Sequence, residues 1–203
     1  MAVRMVAHAV KRTPGRPRSA RADRAILAAA LDLFGQDGFD AMTIEGVAER
    51  AGVGKTTVYR RWASKEDLVS AAVGTLTAEL TLPDTGSVRD DLIGLLQQMV
   101  RLLTSEPAGR VLPRMASELA SGSPVGRAYV ETVLRPRREL VAIAVRRGVE
   151  RGELRADVDE ELAVDAIMGP LIVRRMLGGS DAGFPRSLPA RLVDGALGGL
   201  ARG

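Results

Sequence analysis

From residue 55 to residue 61 the chain reads Lys-Thr-Thr-Val-Tyr-Arg-Arg, placing three cations, two small hydroxyls and one phenol within seven residues. Such groups donate to phosphate oxygens and to base edges, so their chemistry is that of contact with a nucleic-acid duplex. On a helix, Val58 and Trp62 fall four residues apart and, with Val53, seal the underside. That arrangement leaves Lys55, Thr56, Tyr59 and Arg60 facing outward, and Thr57 and Arg61 are counted with them as candidate DNA contacts. Few other functions call for such a face on so short a helix.

Competing chemistries fail on composition or spacing. Gly54-Lys55-Thr56 looks like the end of a phosphate-binding loop, but that motif needs glycine at position 49, where the chain has Glu49, and a strand before it. The preceding segment is an amphipathic helix instead. The chain has no cysteine, and its one histidine, His8, precedes any recognisable fold. A disulfide framework, a Cys/His zinc site and a histidine-dependent relay are therefore not expected, and no catalytic residue, metal ligand or cofactor is assigned. The acids read as solvated helix faces. With no apolar run of about 18 residues, no membrane span is expected, and the lack of cysteine fits a cytoplasmic location.

The elements that hold the reading face are helical. With 46% hydrophobic residues, mostly Ala, Leu and Val, and only 3% aromatic, the 203-residue chain favours helix over strand. Residues 20–36 carry Ile26, Leu27, Ala30, Leu31 and Phe34 at helical spacing, and Asp37-Gly38 stops them. Thr43 caps a helix over 44–51, Gly52 permits a left-handed turn, and 55–62 form the outward-facing helix. Ser64 and Asp67 have capping-box spacing and open a connecting helix over 64–80. Five more helices are expected over 87–105, 107–121, 124–151, 160–177 and 185–200, with Pro136 and Pro170 kinking or splitting two of them. The expected architecture is all-α with nine helices: a basic arm over 1–19, a helix-turn-helix domain over 20–80, and a helical body over 81–203.

The segment 43–68 resembles the TetR/AcrR family of one-component bacterial repressors. The resemblance rests on Thr43, Ala48, Ala51-Gly52-Val53, Thr57, Val58-Tyr59, Trp62, Ser64-Lys65-Glu66 and Leu68. It implies a dimeric, sequence-specific transcriptional regulator that releases a palindromic operator in double-stranded DNA when a small organic effector binds. The family usually has Ser near 54, Gly near 56 and His or Tyr at 61; this chain has Gly54, Thr56 and Arg61, differences that bear on the operator and not on the fold. Thr43 joins the DNA-contacting set, and Lys65, at the start of the connecting helix, is implied as a phosphate contact, the alternative being an ordinary exposed lysine. The resemblance further implies a ligand cavity enclosed by the fourth to eighth helices and a homodimer through the last two. Met99, Leu103, Met115, Leu119, Tyr129, Val133 and Ile167 lie on the helices concerned and are the candidate ligand-lining residues, a plain core role remaining open for each. With no Cys or His in the body and few aromatics, the effector is expected to be largely apolar and aliphatic.

Charge follows the same polarity. Residues 1–65 hold 12 Lys+Arg against 6 Asp+Glu, whereas residues 66–203 hold 17 against 19. A basic N-terminal third on a near-neutral body is the footprint of nucleic-acid binding. Within the arm, Gly15-Arg16-Pro17, followed by Arg18, resembles the core of an AT-hook, an extended strand for a narrow minor groove. The alternative is a flexible basic tail that adds only salt-dependent affinity. For the whole chain, the alternative function is an architectural DNA-binding protein without an effector.

Overall fold

Ile26, Ala30 and Phe34 recur every four residues, and all three are fully buried in the first of a series of helices. The computed structural model describes residues 16–76, 80–178 and 183–198, with side chains from residue 20 onward. Helix α1 (Arg16–Ala41) contains the expected stop: Gly38 leaves the helical region at φ 83° and ψ 177°, and a last turn follows beyond the kink. Any other residue is strained at that φ. Residues 16–19, expected in the arm, already belong to α1. The backbone at Arg16 and Arg18 is therefore helical and not the extended strand of a minor-groove hook; their side chains, and residues 1–15, lie outside the described residues.

Thr43 caps α2 (Ile44–Arg50), its Oγ1 accepting from the Gly46 N–H at 3.1 Å, which satisfies a donor that a helix start leaves open. Gly52, at φ 66°, makes the turn, and the Val53 N–H closes onto the Ala48 carbonyl at 2.9 Å. Helix α3 (Lys55–Tyr59) is shorter than expected, the Arg61 and Trp62 N–H groups both closing onto the Val58 carbonyl beyond it. Ser64 caps α4 (Lys65–Gly74) through the Asp67 N–H at 3.0 Å. This helix ends well before residue 80. Thr75 turns its hydroxyl onto the Ala72 carbonyl at 2.6 Å while the Thr75 and Leu76 N–H groups make i→i−3 bonds, a tightening that terminates the helix.

The body comprises α5 (Val88–Thr104), α6 (Ala108–Ser121), α7 (Pro124–Tyr129), α8 (Arg135–Glu150), α9 (Glu160–Gly178) and α10 (Leu188–Gly198). Between α7 and α8, Val130–Leu134 forms a π-helical turn in which the Arg135 N–H reaches the Val130 carbonyl. This wider turn ends two positions before Pro136, so the expected disruption there is one slow turn within a continuous helical run. Pro170 does not split α9; the carbonyl its missing N–H would have engaged belongs to exposed Ala166, which water can reach.

Pro113 lies inside α6 and frees the carbonyl of Gly109. Buried Arg175, reaching over from α9, donates to that carbonyl through Nε at 2.6 Å and through Nη2. A side chain 66 positions away thus supplies the hydrogen bond that proline removes. Apolar side chains from both halves form one contiguous core, with α4 packed on α1 and α7, and α1 packed on α6. Helices α1 to α4 and the body therefore share their packing.

Candidate nucleic-acid interface

Val58 is fully buried under α3, while Lys55, Thr56, Tyr59 and Arg60 are exposed on its outer side. Tyr59 shows 46% of its surface, a large fraction for an aromatic ring. An exposed aromatic hydroxyl, a threonine hydroxyl and two cations on one short helix are a surface for phosphate and base-edge hydrogen bonds. The Lys55 Nζ lies 5.6 Å from the centre of the Tyr59 ring and pairs with Glu45 of α2. The hydrogen bond from Lys55 holds the Glu45 carboxyl below its ordinary pKa, and the same bond raises that of Lys55. Both partners face solvent, where such a pair is weak and a phosphate can compete for the lysine. Arg60 makes no side-chain hydrogen bond or ion pair among the described residues.

Other candidates have work inside the protein. Arg61 pairs with Asp23 of α1 and donates to the Thr57 carbonyl at 2.8 Å, so it braces α3 against α1. Thr57 is half-buried, and Thr43 is occupied as a cap. Lys65 has partners within the protein that neither of its sequence readings anticipated. Its Nζ donates to the carbonyls of Phe39 at 2.7 Å and Met42 at 3.2 Å, with Asp40 at 3.4 Å, and sits 4.4 Å from the centre of the Phe39 ring. Lysine here ties the start of α4 to the connection between α1 and α2. Glu45, ten residues before Lys55, was not singled out by the sequence because helical periodicity relates no two residues on different helices.

A second polar cluster joins this module to the body. Asp32 of α1 accepts from Arg110 of α6 at 2.8 Å and also pairs with Arg50 of α2. Arg114 of α6 donates to the Gln36 carbonyl at 2.7 Å. A groove of about 420 Å³ lies here, bordered by Ala28, Asp32, Arg50, Glu106 and Arg110. Another, of about 540 Å³, lies between α8 and α9 and is bordered by Leu134, Arg138, Ala142, Glu160 and Val164.

None of the seven proposed ligand-lining residues borders either groove. Met99, Leu103, Met115, Tyr129, Val133 and Ile167 are packed into the core, and Leu119 lies half-buried against it. On α9, the outward side carries Leu162, Val173 and Leu177, exposed by 65%, 53% and 84%. Val173 and Leu177 border a further groove of about 510 Å³ with Pro170 and, from α10, Leu192. An apolar strip this exposed is normally covered by another surface.

Two family models match the chain: that of bacterial regulatory proteins of the tetR family over residues 26–72, and the tetracyclin repressor-like C-terminal domain over residues 82–196. Among curated relatives, the HTH-type transcriptional regulator YdeS of Bacillus subtilis is 34% identical over 168 residues, covering 82% of this chain and 84% of its own. The DNA-binding transcriptional repressor TetR of Mycobacteroides abscessus is 32% identical over 188 residues, covering 90% and 93%. Among solved structures, the TetR-family regulator SCO0332 is 30% identical with a TM-score of 0.63, covering 90% of this chain and 100% of its own. The corresponding values for PfmR of Thermus thermophilus are 25%, 0.66, 87% and 99%.

Proposed function

We propose that this chain, which belongs to the TetR family of DNA-binding transcriptional regulators, acts as a homodimeric repressor that grips a palindromic operator and releases it when a small organic effector occupies the body. The observation that carries the DNA-binding side is the exposure of Lys55, Thr56, Tyr59 and Arg60 over buried Val58. These four make the direct contacts with groove and phosphates; Arg61, Thr43 and Lys65 position the helices that present them. Two such faces, about 34–36 Å apart, meet successive major-groove half-sites, which is why the operator is palindromic and the protein dimeric. The partner subunit covers the apolar strip of α9, with α10 beside it.

Release works through differential affinity. The effector favours the body conformation in which the two faces no longer match the half-site spacing, and it shifts the equilibrium only by its preference for that conformation. Helix α4 and the Asp32–Arg110 contact are links through which α3 follows the body.

The test begins with selection of a duplex from a random library by the full-length chain. A palindromic consensus is expected, retained by the wild type against excess random DNA at raised salt and lost by Tyr59→Ala with an unchanged circular dichroism spectrum. Enrichment of no sequence would leave a phosphate-driven architectural binder. Tight specific binding by Tyr59→Ala would remove α3 from the reading surface.

A further inference from the structure

Arg137, on α8 beneath the end of α4, is an unusual cation. Its Nη2 donates to the Leu76 carbonyl at 3.0 Å, and no carboxylate among the described residues pairs with it. The side chain is partly buried, and that burial pulls the guanidinium below its ordinary pKa while the neighbouring Tyr129 acts in the opposite sense. Tyr129 is 5% exposed, and burial raises its phenol above the ordinary value against the opposing pull of Arg137. In a straight α-helix, residues eight apart point roughly 80° away from each other. The π-helical turn Val130–Leu134 winds more slowly and rotates Arg137 back towards Tyr129. Val133 and Val141, four residues to either side of Arg137, are buried hydrocarbon.

A guanidinium carries five donors, and here the described protein offers Leu76 O to one nitrogen. Withdrawing a cation from water without a counterion is costly, and perturbed groups of this kind mark binding sites when a ligand completes them. We infer that Arg137, with the Tyr129 hydroxyl beside it, anchors the carboxylate of the effector, a monoanion whose remainder is apolar. One guanidinium balances one charge; a phosphate dianion would leave a second charge buried among valines. This refines the aliphatic ligand expected from composition by giving it an acidic end, and it rests on the effector-responsive reading above. A carboxylate on the remaining donors of Arg137 redirects the guanidinium that holds Leu76 O, and so couples the ligand to the end of α4.

The test uses the full-length dimer and matched pairs of probes: octanoate with octanol, decanoate with decanol, benzoate with benzamide, salicylate with salicylamide. Calorimetry is expected to show at least one carboxylate binding about tenfold or more tighter than its neutral partner. Arg137→Gln should abolish that preference and Tyr129→Phe should weaken it. Arg137→Lys, which keeps the charge without the planar fork, should retain part of it and serves if Arg137→Gln does not fold. Equal binding of acids and neutral partners, or an undiminished preference in Arg137→Gln, overturns the inference. Glu79 lies three positions beyond Leu76, outside the described residues. Non-additive melting shifts in Arg137→Gln and Glu79→Gln would make Glu79 the counterion and likewise overturn it. Operator release is read separately by fluorescence anisotropy. Release by a neutral compound alone keeps the effector reading and removes the carboxylate site. A carboxylate that binds through Arg137 without release keeps the site and removes the effector reading.

Discussion

Replacing Lys65 with methionine separates two roles that sequence alone does not distinguish. Methionine retains the apolar stem and removes the three donors of the ammonium. In the structure those donors meet Phe39 O and Met42 O at 2.7 and 3.2 Å, and the cation lies over the Phe39 ring. A hydrogen bond to a charged group contributes about 1.5–3 kcal/mol, and an exposed cation–π contact about 0.5–1 kcal/mol. Lys65 is only partly buried, and water can replace part of what is lost, so the net cost is roughly 1.5–3 kcal/mol in all. For a chain of this size that corresponds to a fall in melting temperature of roughly 3–12 °C. The assay pairs thermal unfolding with the salt dependence of binding to the selected duplex. A phosphate contact contributes about 0.9 to the slope of log K against log salt, so a tether predicts a lower melting temperature with that slope unchanged. Lys65→Arg should recover much of the stability. A slope shallower by about 0.9 with an unaltered melting temperature would refute the reasoning and restore Lys65 to the phosphate-contacting set.

Glu45→Gln should raise affinity for random and selected duplexes alike and narrow the ratio between them, measured by competition gel shift, because it frees Lys55 and removes a negative charge near the reading face. Its carboxyl is held below the ordinary pKa, so the Lys55 pair persists through neutral pH and is lost only as pH falls through the depressed value; the wild type should approach the variant there. Leu177→Asp with Val173→Asp should convert the dimer to monomer in light scattering and abolish operator binding, since both residues lie on the exposed strip of α9. Arg175→Met should cost about 1–3 kcal/mol by leaving Gly109 O buried without this donor. Pro113→Ala, by restoring the N–H that this carbonyl lost, should shrink that cost in urea titrations of the double variant.

Local physics accounts for what was legible before folding. The Thr43 and Ser64 caps, the Gly52 turn and the outward set Lys55, Thr56, Tyr59 and Arg60 each depend on groups within one or two helical turns. Propensity and the 3.6-residue period suffice for such features. The ends of α3 and α4 were overextended because periodicity continues where competing hydrogen bonds, such as Thr75 onto Ala72, already stop the helix. The seven proposed ligand residues lie on the expected helices, yet a buried Met or Val at helical spacing has the same sequence signature whether it lines a cavity or fills the core.

The sequence by itself therefore determined an all-helical chain with a helix-turn-helix and an exposed polar face on α3. Only the tertiary structure decided which partner each cation meets within the protein. Lys55 meets Glu45, Arg61 meets Asp23, Lys65 turns onto the carbonyls of residues 39 and 42, and Arg175 fills the gap left by Pro113. In each case the partner lies 10 to 66 positions away along the chain. Which side chain reaches which acceptor is set by how helices cross, a quantity that no local pattern of residues encodes.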